Sequence, residues 1–115
     1  MDNVIAVKSK AFAVRVIRLN QHLNTAAHEY VMSKQLLRSG TSIGANVREA
    51  VNAYSKKDFA AKMSIALKEA GETAYWLELL VETDYITKAQ FDSMYTDNEE
   101  LIKLLVSIVK ASKQD

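Results

Sequence analysis

One stripe of side chains constrains this chain more than any other feature. Phe59, Met63, Ala66, Ala70, Thr73, Leu77 and Leu80 alternate steps of four and three across three full heptads, the spacing of a helix that buries one seam in a bundle. Three further segments share the helical period. Ile5, Phe12, Val16, Leu19 and Leu23 line one face over residues 4–23, and Leu36, Ile43, Val47, Ala50 and Tyr54 do so over 27–54. Phe91, Tyr95, Ile102, Leu105 and Val109 line a fourth segment over 88–113, with the third at 58–83. Hydroxyl side chains mark the boundaries. Thr25 is placed to cap the second segment, and Ser55 with Asp58 and Thr87 with Gln90 spell capping boxes before the third and fourth.

Turn punctuation is nearly absent, with no proline and three glycines in 115 residues. That scarcity argues against a many-stranded β protein. The expected fold is therefore all-α, a single domain over residues 1–115 built as an antiparallel up-down four-helix bundle. A hydrophobic fraction of 49% is too high for a disordered chain, and the length supports a core without staples. The lack of cysteine excludes disulfides, thiolate chemistry and cysteine-based zinc sites, and fits a reducing compartment. No stretch approaches the roughly 18 to 20 apolar residues of a membrane span. The N-terminus carries no basic leader, so a cytoplasmic protein without a membrane partner is expected.

Polar residues appear where a bundle should be apolar. Gln35, Arg38, Ser42, Asn46 and Glu49 form a continuous line beside the apolar face of the second segment. In the third, Ile65, Glu69, Glu72, Trp76 and Leu79 share a stripe, which sets two carboxylates among large apolar groups. Charges there require partners. The economical arrangement pairs Arg38 or Lys68 with Glu49, Glu69 or Glu72 and leaves Gln35 and Asn46 to satisfy remaining hydrogen bonds. Three readings stay open: a structural network that fixes helix register, a carboxylate metal site in which Glu69 and Glu72 meet Glu49, or a ligand or partner pocket. The metal reading lacks the histidine three residues after a glutamate that di-metal bundles use, and no metal or other cofactor is expected.

The glycines are the second irregularity. Gly40, Gly44 and Gly71 all fall inside helical segments, where each costs about 1 kcal/mol against alanine. They are read as points of close helix packing, within the bundle or between subunits. Charge is the third. Net charge is only +1, yet residues 1–48 carry seven basic side chains against two acidic ones, and the remainder eight against twelve. Such a dipole can steer a nucleic acid, or a second copy head to tail. Lys8, Arg15, Arg18 and His22 make a basic stripe on the first segment, and Lys8, Lys10, Arg15 and Arg18 are the candidate contacts for a phosphate backbone. Aromatic interleaving for base stacking is missing from that stripe. No glycine-rich phosphate loop or nucleophile–histidine pairing is present, so an enzyme is not expected.

The string from Ser33 to Ala50, SKQLLRSGTSIGANVREA, together with Ser55-Lys56-Lys57-Asp58-Phe59, Lys68-Glu69-Ala70-Gly71-Glu72-Thr73 and Tyr75-Trp76-Leu77, resembles a known family. It is the four-helix-bundle family encoded in intervening sequences of bacterial 23S ribosomal RNA genes, also labelled S23 ribosomal proteins. The match runs from about Phe12 to Lys110. The resemblance implies an up-down bundle, assembly into cyclic pentamers, and motif positions at Gln35, Arg38, Ser42, Asn46, Glu49, Asp58, Lys68, Glu69 and Glu72. The chain is also similar to the accessory protein of diversity-generating retroelements, a basic pentamer that binds a reverse transcriptase and nucleic acid, although its own net charge is near zero. The family has no established catalytic activity. The expectation is a self-assembling interaction module whose main partner is itself, with RNA or an RNA-associated protein as the alternative partner.

Overall fold

Every connection between helices is short, and that alone dictates the topology. The computed structural model describes residues 3–113, which form α1 (Val4–Thr25), α2 (Met32–Val51), α3 (Lys56–Glu82) and α4 (Lys88–Ser112). Connectors of this length turn each helix back along its predecessor. Packing contacts join α1 with α2, α2 with α3, α3 with α4, and α1 with α4, and no diagonal pair touches among the described residues. The result is the expected four-helix bundle, a rod of 47 × 22 × 19 Å.

Each helix start is held by a side chain that accepts backbone N–H groups left over at the first turn. Asn3 Oδ1 accepts from Ala6 at 3.3 Å, and Ser55 Oγ accepts from Asp58 at 3.0 Å. Thr87 and Gln90 form the reciprocal box, with Gln90 N–H donating to Thr87 Oγ1 at 3.1 Å and Thr87 N–H to Gln90 Oε1 at 2.8 Å. The second helix departs from the sequence expectation. It begins at Met32 instead of residue 27, and Thr25 belongs to α1, where its hydroxyl donates to Gln21 O at 2.9 Å. The cause is Glu29. Its buried carboxylate accepts the N–H groups of Val31 at 2.7 Å, Met32 at 2.6 Å and Ser33 at 3.3 Å, and adds negative charge at the positive end of the α2 dipole. The chain reaches this cap through His28 in the left-handed region at φ 51°. Asp84, at φ 66°, makes the equivalent bend after α3, so non-glycine residues do the turning.

The expected seams of α1 and α3 are buried, except that Phe59 at the start of α3 is partly covered. Two corrections apply elsewhere. Tyr54 lies beyond the end of α2 and is fully exposed, because the helix stops at Val51, where Asn52 Nδ2 donates back to Arg48 O at 3.0 Å. In α4 the buried line is Met94, Asn98, Leu101, Leu105 and Val109, with Phe91, Tyr95 and Ile102 on its flank. A polar residue in that line displaced the apolar count. Asn98 is completely buried, and its Nδ2 donates to Ala70 O at 2.9 Å.

Two glycines set the distance between α1 and α2. A Cβ added to Gly40 would stand 2.7 Å from Val16 Cγ2, and one on Gly44 would stand 3.3 Å from the Ser9 carbonyl oxygen. Gly71 differs: it is exposed, with nothing within 4 Å of an added Cβ, so within the chain it marks no close packing. Val16 is fully buried and β-branched, hence stiff at χ1, and has nowhere to move. Gly40→Ala is therefore expected to destabilise the fold by about 1–3 kcal/mol despite its better helix propensity, and Val16→Ala in the same chain to recover part of that loss. Urea unfolding of the two single variants and the double variant checks this. Additive losses would show that the two side chains do not collide.

Candidate functional site

Along the α2–α3 seam the misplaced polar residues fall into one network and several side branches. Arg38 crosses from α2 to α3, where its Nη1 donates to Glu69 Oε2 at 3.2 Å and its Nη2 to Glu72 Oε2. The same Glu72 oxygen accepts the Trp76 indole N–H at 3.1 Å. Glu69 is buried, with 8% of its surface exposed, while half of the Arg38 side chain remains in solvent. Below this clamp, Thr73 Oγ1 donates to Ser39 Oγ at 2.9 Å between two fully buried hydroxyls. Arg38 first and the Trp76 indole second hold the Glu72 carboxyl below the ordinary carboxylate value. Hydrogen bonding to Glu72 likewise raises Arg38.

The other expected members of the network lie elsewhere. Ser42 Oγ donates to Arg38 O at 2.6 Å and Asn46 Nδ2 to Ser42 O at 2.9 Å, both within α2. Glu49 pairs with Lys62 at 3.1 Å, away from Glu69 and Glu72. Gln35 is exposed, and Lys68 acts on Glu72 only through its charge. Among the described residues no three His, Asp or Glu side chains converge to hold a metal ion. Glu69 and Glu72 face the Arg38 guanidinium, and Glu49 faces the Lys62 ammonium.

The basic stripe of α1 is partly neutralised by α4. Lys8 Nζ meets Glu100 Oε2 at 3.1 Å, and Arg15 Nη1 meets Asp97 Oδ2 at 2.6 Å while its Nη2 donates to Ser93 Oγ at 2.7 Å. The basic first half and the acidic second half of the chain thus meet inside one molecule. Lys10 and Arg18 remain on the exposed surface. At the end of the rod that carries the α2–α3 turn lies an open, mainly apolar groove of about 640 Å³ with Lys56 in its lining, and the exposed Arg48, Lys57 and Lys110 are close to it in sequence, as are Glu49 and Asp58. Tyr54, Phe59 and Ile108 line that groove.

Sequence reasoning missed a further surface on α1. Val4, Val7, Ala11 and Val14 step by three and four along its outer side, with Ile17 beside them. Val7 is 69% exposed and Val4 51%. The helix is apolar on two faces, and the stronger core stripe obscured the second one.

The fold and its polar seam define a four-helix-bundle protein with a charged clamp between its second and third helices. Its sequence matches the profile of the 23S rRNA-intervening sequence protein family over residues 1–107, and the chain belongs to that family. It is also similar to a solved structure from Bacteroides thetaiotaomicron, described as a protein with unknown function from the S23 ribosomal protein family. The two are 57% identical, with a TM-score of 0.92, over 93% of this chain and 99% of that one. No curated protein matches. No helix among the described residues is long and apolar enough to cross a membrane.

The clamp has a measurable signature. Arg38→Met leaves the Glu69 carboxylate buried and without its partner, and is expected to destabilise by about 1–3 kcal/mol in urea unfolding. Glu72 has a folded pKa below its unfolded one. Its contribution is therefore complete above the ordinary carboxylate range and is lost as the pH falls through the folded value. Stability measured against pH is expected to fall less on the acid side in Arg38→Met than in the parent. Parallel curves would assign no linkage to the clamp.

Proposed function

We propose that this protein is a self-associating helical module, closing into a ring, that works by binding other molecules and not by catalysis. The observation that carries this reading is the second apolar face of α1. A helix with core-type residues on two sides calls for a second partner, and an exposed valine row at helical spacing suits another helix better than water. The Arg38 clamp supports a rigid role, since it uses its charged groups to fix α2 against α3. The pentamer implied by the family resemblance fits a contact between two different surfaces, which closes when the rotation between subunits allows. The half-to-half charge attraction expected from sequence is not the basis of this reading, because two of its cations, Lys8 and Arg15, already pair within the chain.

Sedimentation velocity at micromolar concentration is expected to give one discrete species several times the 12.9 kDa monomer. Val7→Glu with Val14→Glu is expected to return it to monomer without loss of helicity. A parent protein that sediments only as monomer at that concentration overturns the reading.

A second reading, RNA binding, draws on the groove at the end of the rod. The groove sets the exposed Tyr54, a stacking surface for a base, beside Lys56, and the exposed Arg48, Lys57 and Lys110 stand at neighbouring positions of the chain as phosphate contacts for a single strand. This moves the RNA contact away from the α1 stripe, where Lys8 and Arg15 already face carboxylates. Fluorescence anisotropy with a labelled single-stranded RNA is expected to show binding that falls steeply with salt and weakens roughly tenfold or more in Tyr54→Ala. No binding at low salt removes this reading.

A further inference from the structure

Gly71 has no explanation inside the chain. It stands in the middle of a 27-residue helix, on the outer side, and an added Cβ would touch nothing. Gly40 and Gly44 are each fitted against α1, whereas Gly71 carries the usual helical penalty of glycine with no packing gain in return. The missing side chain leaves a shallow waist on α3, with Leu67 and Ala74 on one side and Lys68 and the half-exposed Tyr75 on the other.

We infer that this waist is where α1 of a second copy lies, its Ala11 against Gly71. The inference rests on the self-association proposed above and names its contact. The outer face of α1 is the matching surface, a small residue flanked by Val7 and Val14. α1 and α3 sit on opposite corners of the bundle with no contact between them, so one subunit presents both faces at once, as a ring requires. They also run in the same direction. In a ring whose axis follows the rod, α1 and α3 of neighbouring subunits therefore lie parallel. With Ala11 opposite Gly71, the residues seven positions further on also meet. These are Arg18 and Glu78, opposite in charge, with Glu82 one turn beyond. Glu78 accepts the Tyr95 hydroxyl at 2.7 Å through Oε2, which leaves its second oxygen for an incoming guanidinium.

The test uses the full chain and measures the dissociation constant by sedimentation over a concentration series. Gly71→Ala is expected to weaken assembly by roughly tenfold or more, because a methyl forced between close-packed helices costs at least about one such decade. The same substitution in the monomeric Val7→Glu, Val14→Glu background is expected to raise the melting temperature, as alanine is the better helix former. Arg18→Glu is expected to weaken assembly and Glu78→Arg in the same chain to restore it. An unchanged dissociation constant in Gly71→Ala overturns this contact while leaving self-association standing. A parent protein that never assembles removes both.

Discussion

Because Gly40 and Gly44 lack side chains, α2 lies close enough to α1 for Val16 and the Ser9 backbone to occupy the space a Cβ would fill. The rest of the bundle is arranged around that approach. On its other side α2 meets α3, where Arg38 spans to Glu69 and Glu72 and the small buried hydroxyls of Ser39 and Thr73 touch behind the clamp. Interiors packed at crystal-like density have two ways to fill a gap, more side chain or closer backbones. Between α1 and α2 this protein uses the second.

Electrostatics divides unevenly over the four interfaces. The α1–α4 contact is the least extensive of the four, and it is there that Lys8–Glu100 and Arg15–Asp97 form. Both pairs are substantially exposed, so each contributes little on its own and more to orientation than to stability. The α2–α3 contact is the most extensive and contains Glu69, a buried glutamate held by an arginine, where loss of the partner matters more. Folding thus converts part of the charge imbalance along the sequence into internal pairs.

Much of this was legible in the residues, and the exceptions have physical causes. The number of helices and the seams of α1 and α3 follow from apolar spacing, which depends only on the helical period. Arg38 with Glu69 and Glu72 was foreseeable because a carboxylate on an apolar stripe demands a cation. The start of α2 was not, since Glu29 caps from a loop and outside the Ser, Thr, Asp or Asn pattern that marks such ends. The α4 seam was misplaced by Asn98, a polar residue at a core position. Glu49 was drawn off to Lys62, a partner that only the crossing of α2 and α3 reveals. The valine face of α1 was present in the spacing but masked by the deeper stripe beside it.

The connections between helices have a kinetic consequence. Each helix pairs mainly with its neighbour in the chain, and the two sharp bends are made by His28 and Asp84 without a proline anywhere in the sequence. Contacts between sequence neighbours close short loops, so the search for the native topology is fast, on the order of microseconds to milliseconds for helical bundles. No X–Pro bond is present to slow it by isomerisation. Proline isomerisation is thereby excluded as the source of any slow phase in the recovery of this protein from denaturant.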